Sequence, residues 1–289
     1  MGLFDTLPRP TKTYHSKTYD RISPSASQFD GNGKTVLITG GSEGIGFSIA
    51  KSFAEAGVAK IIIVSRSAGP QADASKAIRA DFPTTEVQTI AMSITDLQRV
   101  TEVMRSTNAI DVLVLNAVVV PQHDAGGTEL QQEAVYEKTF YGNVIAPLHM
   151  IKQYLEQPSP KTKTIINISA ASAHMDLPSV AKYGPFKAAF ATLCQQLATK
   201  HNPENGVYIF SIQPGVFYTS SAKRAGTSET AFEWDDIRLP GNFVVWLSGS
   251  EGAFLHGRFL WANWDVDELI ELKDKVAKDP TFLKLGLLM

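Results

Sequence analysis

Lys34-Thr35-Val36-Leu37-Ile38-Thr39-Gly40-Gly41-Ser42-Glu43-Gly44-Ile45-Gly46 is the stretch that decides the fold. A short β-rich run ends in a cluster of glycines, and 47–57 then repeats apolar residues at helical spacing until Gly57 stops it. The order is strand, glycine turn, helix. Glycines permit a tight turn and bring the backbone close to a pyrophosphate, whose charge is favoured by the exposed N–H groups at a helix N-terminus. An ordinary turn would need no such flanks, so the turn formed by Gly40, Ser42, Glu43, Gly44, Ile45 and Gly46 reads as a dinucleotide cradle.

Outward from this turn the alternation continues. Strands are predicted at 60–65, 86–92, 111–117, 164–169 and 207–213, and helices at 71–81, 95–107, about 129–156 and about 180–200. The strands are nearly continuous apolar runs, as in a parallel sheet covered on both faces. Six or seven strands alternating with helices make a doubly wound α/β sheet in a single domain. Residues 1–32 read as an extended N-terminal arm, 33–262 as the catalytic domain and 263–289 as a C-terminal helical tail, with 217–240 as a lid over an apolar substrate. A surface loop that buries Phe217, Phe232 and Trp234 is the other reading of that last segment.

Composition narrows the function. With 289 residues, 44% of them hydrophobic and 19% charged, the chain buries a sizeable core and is not disordered. A net charge of −2 without a basic stripe excludes nucleic acid as the expected partner. Cys194 is the only cysteine, which suits a reducing compartment, and no apolar run approaches the ~20 residues of a membrane span. A cytoplasmic location is expected. Met1-Gly2-Leu3-Phe4-Asp5-Thr6 formally fits an acylation pattern and is read as chance.

Two further groups carry chemistry. The second strand ends Val64-Ser65-Arg66, with no acid for the ribose hydroxyls of NAD; a hydroxyl followed by a guanidinium suits the 2′-phosphate of NADP instead. Glu43 argues mildly the other way unless its carboxylate points outward. Tyr183-Gly184-Pro185-Phe186-Lys187 places a phenol and an ammonium one helical turn apart, where the cation is expected to lower the phenol pKa into a range useful for acid/base work.

The chain resembles the short-chain dehydrogenase/reductase family over about 33–262. The resemblance rests on TGGSEGIG (39–46), LNA (115–117), NV (143–144), NIS (167–169), YGPFK (183–187) and QPGVFYT (213–219), in family order, and the arm and the run 254–269 look similar to fungal members. It implies a Rossmann-type sheet, hydride transfer between a nicotinamide and a ketone or secondary alcohol, and a homodimer or homotetramer; NADP(H) in preference to NAD(H) rests on Ser65 and Arg66. It makes Tyr183 the acid/base, Lys187 the ribose anchor, and Asn143 the holder of a relay water through its backbone carbonyl. Cofactor contacts fall on Ser65, Arg66, Ser93, Ile94, Asn116, Ala117, Pro214, Gly215, Val216 and Thr219. Many fungal members act in secondary metabolism, and that setting is implied here. Pro147, four residues after Asn143, has no N–H to bond the Asn143 carbonyl; freeing that carbonyl and merely kinking the helix are the two readings.

Three positions depart from the family pattern. The family's catalytic serine lies 13 residues before the Tyr, where this chain has Ala170; Ser172 is the provisional substitute, with Ser169 the other candidate on a strand end expected to face away. Val118 replaces a glycine, unfavourable if φ there is positive, and Ser93 replaces an Asp that binds adenine. Ala170 and Val118 raise a non-redox isomerase, dehydratase or cyclase as the alternative function; a cofactor-sensing binding protein is a third, against which the intact set of Tyr183, Lys187 and Asn143 argues. His123, His149 and His174 fit no metal-ligand spacing; His174 and Met175 are placed beside the substrate or in an exposed loop. Cys194 falls on the Lys187 face of the same helix, two turns on, and reads as packing.

Overall fold

The computed structural model describes residues 4, 7–107, 109–120, 133–158, 160–175, 182–219, 223, 226–231 and 233–287. Seven parallel strands form one sheet in the order β3-β2-β1-β4-β5-β6-β7. They are β1 Thr35–Thr39, β2 Lys60–Ser65, β3 Glu86–Ala91, β4 Val112–Leu115, β5 Lys163–Ile168, β6 Val207–Gln213 and β7 Phe259–Trp261. The runs Ile61–Val64 and Val112–Leu115 are buried throughout because helices cover both faces of the sheet. Ile38, Ile63 and Ile166 point into one core with Phe53, Phe243 and Trp246, while Leu37, Ile62 and Ile165 point into the other with Met150, Tyr154 and Phe190. Successive residues thus feed opposite layers, as the two-residue period of a strand requires.

Helices α1 Gly44–Glu55, α2 Ala68–Asp81 and α3 Leu97–Ser106 follow the first three strands. The long helix expected at 129–156 is α4 Glu133–Phe140 and α5 Ala146–Leu155 joined through a π-turn, Tyr141–Ile145; its first residues, 129–132, lie outside the described positions. Helix α6, Gly184–Lys200, begins later than the sequence suggests because Tyr183 is its N-cap and Pro185 occupies the first turn. Helix α7, Arg238–Ser248, takes up the end of the expected lid. Its Leu239-Pro240-Gly241 start looks like a breaker in sequence, yet Ser52 on α1 donates to Asn242 (2.9 Å) and Ser48 to the Ile237 carbonyl (2.6 Å). Two short helices, α8 Val266–Glu271 and α9 Lys273–Lys278, end the described chain. No described helix is long and apolar enough to cross a membrane.

The N-terminal arm is sewn onto the C-terminal segment. Tyr14 forms an antiparallel bridge with Trp264, His15 Nε2 meets Asp265 at 2.8 Å, and the backbone N–H groups of Lys12 and Thr13 reach Glu268. Ile22 is fully buried in the core. Arg21 donates to Glu251 (2.7 and 3.1 Å) and to Asp267 (2.8 Å). Its guanidinium holds the Glu251 carboxyl below the ordinary value of 4.5, against the opposing effect of burial. A carboxylate depressed in the folded state adds stability above its unfolded pKa and loses it as pH falls through the folded one. Arg21→Ala is therefore expected to cost about 1–2 kcal/mol at pH 7. That gap should close below pH 4.5 in thermal melts of the two proteins run from pH 7 to 3; a gap of constant size would contradict it.

Candidate functional site

The C-terminal ends of β1, β2, β3, β4 and β6 bring most of the expected residues to one edge of the sheet, the place where such folds bind ligands. At the end of β1 the chain turns through Gly40 (φ +67°) and Gly44 (φ +56°), a left-handed backbone that only glycine adopts cheaply. A side chain at Gly46 would put its Cβ 2.3 Å from the Gly40 carbonyl oxygen, so this glycine lets α1 close on the turn. Asn116 holds the turn from behind: its Nδ2 donates to the carbonyls of Thr39 (3.0 Å) and Gly40 (3.1 Å). The Thr39 hydroxyl accepts from the N–H groups of Asn116 and Ala117. Glu43 caps α1 from an extended backbone and is exposed; Ser42 and Ile45 are half-buried beside it.

At the end of β2 the Ser65 hydroxyl oxygen is buried without a hydrogen-bond partner, and Arg66 next to it is exposed. An orphaned buried hydroxyl beside an exposed guanidinium is what a phosphate or ribose oxygen would complete. Ser93 is less available than expected. Its hydroxyl accepts from the Thr95 N–H (3.2 Å) and pairs with the Thr95 hydroxyl (2.7 Å), leaving at most one lone pair beside buried Ile94. Val118 has a negative φ, since the positive-φ non-glycines among the described residues are Ala109 and Leu283. The valine run is accommodated by Gly142, where a Cβ would lie 2.3 Å from Val119 Cγ2.

Asn143 sits in the π-turn, a distortion that recurs at functional positions. The Ala146 N–H reaches back five residues to the Tyr141 carbonyl, and Pro147 follows without a donor. The Asn143 side chain is committed to structure: Nδ2 donates to the Val119 carbonyl (2.8 Å) and Oδ1 accepts from the Val119 N–H (3.0 Å). A cavity of about 10 Å³, the size that one water needs, is lined by Asn143 and Pro147 together with Lys187, Asn167 and Thr39.

Lys187 is buried, its Nζ donates to the Ile168 carbonyl (2.7 Å) and lies 5.6 Å from the centroid of the Tyr183 ring. Burial pushes its pKa down to about 8. The expected depression of the Tyr183 pKa is reversed in this structure: burial raises the phenol well above its ordinary range. Helical spacing alone sees the cation and misses the desolvation that opposes it. Cys194 is also buried, and desolvation pushes its thiol up to about 12, so it packs as a small hydrophobe.

Ser172 and Ser169 occupy different surroundings. Ser169 is buried, and its hydroxyl oxygen has no hydrogen-bond partner. Ser172 is half-buried on a 3₁₀ turn, Ala171–Ala173, and lies against the start of α6, where a Cβ on Gly184 would come within 3.1 Å of Ser172 Cβ. Ala170, at the position of the expected donor, is extended backbone with no polar side chain. His149 is bonded to the Thr101 hydroxyl (2.8 Å), His123 lies outside the described residues, and His174 accepts from Trp261 Nε1 (3.0 Å). Among the described residues no group of three or more His, Cys, Asp or Glu is placed to hold a metal.

Two residues have positioning roles that the sequence does not announce, although Gln213 opens the motif at 213–219. Gln213 accepts from the Ala171 N–H (3.0 Å) and donates to the Gly215 carbonyl (3.3 Å), tying the turn after β5 to the segment after β6. Asp235 accepts from the Val216 N–H (2.8 Å) and from Asn263 Nδ2 (3.2 Å), holding Pro214-Gly215-Val216 in place beside buried Phe217. Thr219 closes that segment, its N–H donating to the Phe217 carbonyl (2.9 Å). Trp234, in the segment expected to form a lid, is half-buried against Tyr218, with ring centroids 5.5 Å apart; Phe232 lies outside the described residues.

With this geometry the chain was compared with known proteins. The family model described as short chain dehydrogenase matches residues 34–230. The chain is 48% identical, over the full length of both, to the short chain dehydrogenase/reductase nsrO of Aspergillus novofumigatus. It is 46% identical, again over the full length of both, to the short chain dehydrogenase/reductase AacuD of Aspergillus aculeatus. Among solved structures, the RhlG/NADP active-site complex of Pseudomonas aeruginosa superposes with a TM-score of 0.71 at 22% identity, covering 81% of this chain and 96% of that one. L-Sorbose reductase of Gluconobacter frateurii, complexed with NADPH and L-sorbose, gives a TM-score of 0.67 at 21% identity, covering 81% and 96%. These two structures share the fold.

Proposed function

Because the chain belongs to the short chain dehydrogenase family, we propose that it is an NADP(H)-dependent oxidoreductase acting on a ketone or secondary alcohol of a small to medium, largely apolar metabolite. The observation that carries this reading is the water-sized cavity shared by Asn143 and Lys187, with the Lys187 ammonium set against the Tyr183 ring. A nicotinamide dinucleotide, when bound, supplies or accepts the hydride. The chain's own residues handle the proton. Tyr183 gives it to the substrate oxygen in reduction, and the phenolate left behind is stabilised by the Lys187 cation. The proton is replenished through the cavity at Asn143, where Pro147 cannot bond the Asn143 carbonyl.

The pyrophosphate is assigned to the turn at Gly40–Gly46, the 2′-phosphate to Ser65 and Arg66, the adenine to the Ser93–Ile94 end of β3, and the nicotinamide side to Asn116, Ala117, Pro214–Val216 and Thr219. The orphaned Ser65 hydroxyl and the exposure of Glu43 support NADP(H) over NAD(H). The fungal sources of the two relatives support a fungal setting, to which we add a role in secondary metabolism. Phe140 and Tyr141, 41% and 40% exposed at the junction of α4 and the π-turn, support assembly into a homo-oligomer through that helix. We place the protein in the cytoplasm.

The test is consumption of NADPH and of NADH with a panel of ketones. Arg66→Ala is expected to raise KM for NADPH about tenfold or more, the value of one charge-assisted contact, with KM for NADH unchanged. Equal effects on both cofactors would remove Arg66 from the 2′-phosphate site. Ala170 favours a second reading, a non-redox isomerase, dehydratase or cyclase on the same scaffold. Conversion of a substrate to a product of unchanged oxidation state, without net loss of NADPH, would decide for it.

A further inference from the structure

A second cavity lies outside the cofactor edge, between the N-terminal arm, the end of β7 and the residues that follow the Ala171–Ala173 turn. Its volume is about 210 Å³. An apolar cavity of about 150 Å³ takes up benzene, so this one has room for a single ring and a small substituent. Its walls are aromatic. Trp261 and Trp264 lie nearly parallel with ring centroids 6.2 Å apart, and Phe4 meets Trp261 edge-on at 5.0 Å. Flat walls of this kind suit a planar ligand.

One group in the cavity does not belong in an apolar site. Arg9 lines it with its guanidinium 4.7 Å from the centroid of the Tyr14 ring, and Arg9 Nη1 is buried with no hydrogen-bond partner. No carboxylate among the described residues forms an ion pair with it. A buried cationic N–H without an acceptor is unfavourable, and a ligand that brings the acceptor recovers that loss. The planar guanidinium fork matches a carboxylate in both shape and charge. At the rim, Trp261 Nε1 donates to His174 Nε2, which fixes the imidazole against the aromatic wall.

We propose that this cavity binds a one-ring aromatic carboxylate, its ring against the aromatic walls and its carboxylate on Arg9. The site is built by residues of the arm and of β7 that the hydride-transfer reading does not use, and its occupancy requires no dinucleotide. It also touches His174 and Met175, which directly follow the turn that carries Ser172.

The test uses the full-length protein without added dinucleotide. Benzoate and its uncharged counterpart benzamide are titrated in, and binding is followed by tryptophan emission and by calorimetry. Benzoate is expected to saturate and to bind about tenfold or more tightly than benzamide. Arg9→Met should weaken benzoate by that factor and leave benzamide unchanged. Leu7→Trp, which fills the cavity from the arm, should abolish both, with circular dichroism confirming the fold of each variant. Should Arg9→Met fail to fold, the ratio of benzoate to benzamide and the Leu7→Trp result still decide. Benzoate that does not saturate up to on the order of 10 mM, that binds no better than benzamide, or that survives Leu7→Trp overturns the proposal. Because no turnover is measured, its failure and failure of the oxidoreductase reading are separate outcomes.

Discussion

Tyr183→Phe is expected to lower kcat/KM for ketone reduction by about 10²–10⁴, the usual contribution of a positioned general acid. The substitution removes one oxygen and leaves the ring against Lys187. Tyr183 caps α6 through its backbone, with the Phe186 and Lys187 N–H groups on its carbonyl at 3.1 and 3.2 Å, and its side chain makes no capping bond. The fold and the affinity for NADPH should therefore persist, within about threefold as judged by fluorescence titration. The direction of the Tyr183 shift also matters. Burial disfavours the phenolate, so at neutral pH the group is held as the acid. A residue held as the acid serves reduction directly, whereas oxidation begins with its deprotonation, which the Lys187 cation favours. The Tyr183→Phe loss should accordingly appear in kcat as well as in kcat/KM for reduction at pH 7. Turnover equal to the wild type would remove Tyr183 from the acid role and, with no NADPH consumed by either protein, favour the non-redox reading.

The parts of this molecule that were legible in sequence are those whose cause is local. Ile61–Val64 and Val112–Leu115 announce buried parallel strands because every residue in them is apolar, and the Gly40 to Gly46 turn announces itself because no other residue tolerates those backbone angles and contacts. Other features arise from contacts between distant segments. Helix α7 starts on Leu239-Pro240-Gly241, a breaker by composition, and is held by Ser48 and Ser52 about 190 residues earlier. Arg21 finds its two carboxylates 230 and 246 residues away, so no window of sequence reveals that the arm is anchored. Gln213 and Asp235 position the site through side-chain bonds to backbone, which leave no periodicity to read. The pKa of Tyr183 depends on burial, which the Tyr-x-x-x-Lys spacing does not encode. Pro147 was the one visible sign of the π-turn, because a missing donor can be read from the residue itself.

Ser172→Ala is expected to cost about 10²–10³ in kcat, the measured scale for one donor to a developing oxyanion, while Ser169→Ala leaves the rate within about threefold. The argument turns on which hydroxyl can present a hydrogen to a substrate oxygen next to Tyr183. Ala170 cannot, and its extended backbone carries straight into the Ala171–Ala173 turn, where the Gln213 side chain accepts from the Ala171 N–H and fixes the next residue. That next residue is Ser172. Its Cβ and carbonyl lie against Gly184, the residue following Tyr183, and it is half-buried rather than sealed off. Ser169 is 4% exposed, and its backbone N–H is held by the Ile212 carbonyl at 2.7 Å, so its hydroxyl is the more enclosed of the two. Parallel assays of the two variants with the same ketone and NADPH separate the cases. A loss confined to Ser169→Ala transfers the donor role to that residue. If neither variant falls by more than about threefold, no serine hydroxyl serves the carbonyl, and Tyr183 alone polarises it. Melting curves within about 2 °C of the wild type confirm that each loss reflects chemistry, since a change of 1 kcal/mol moves Tm by about 2–4 °C in a domain of this size.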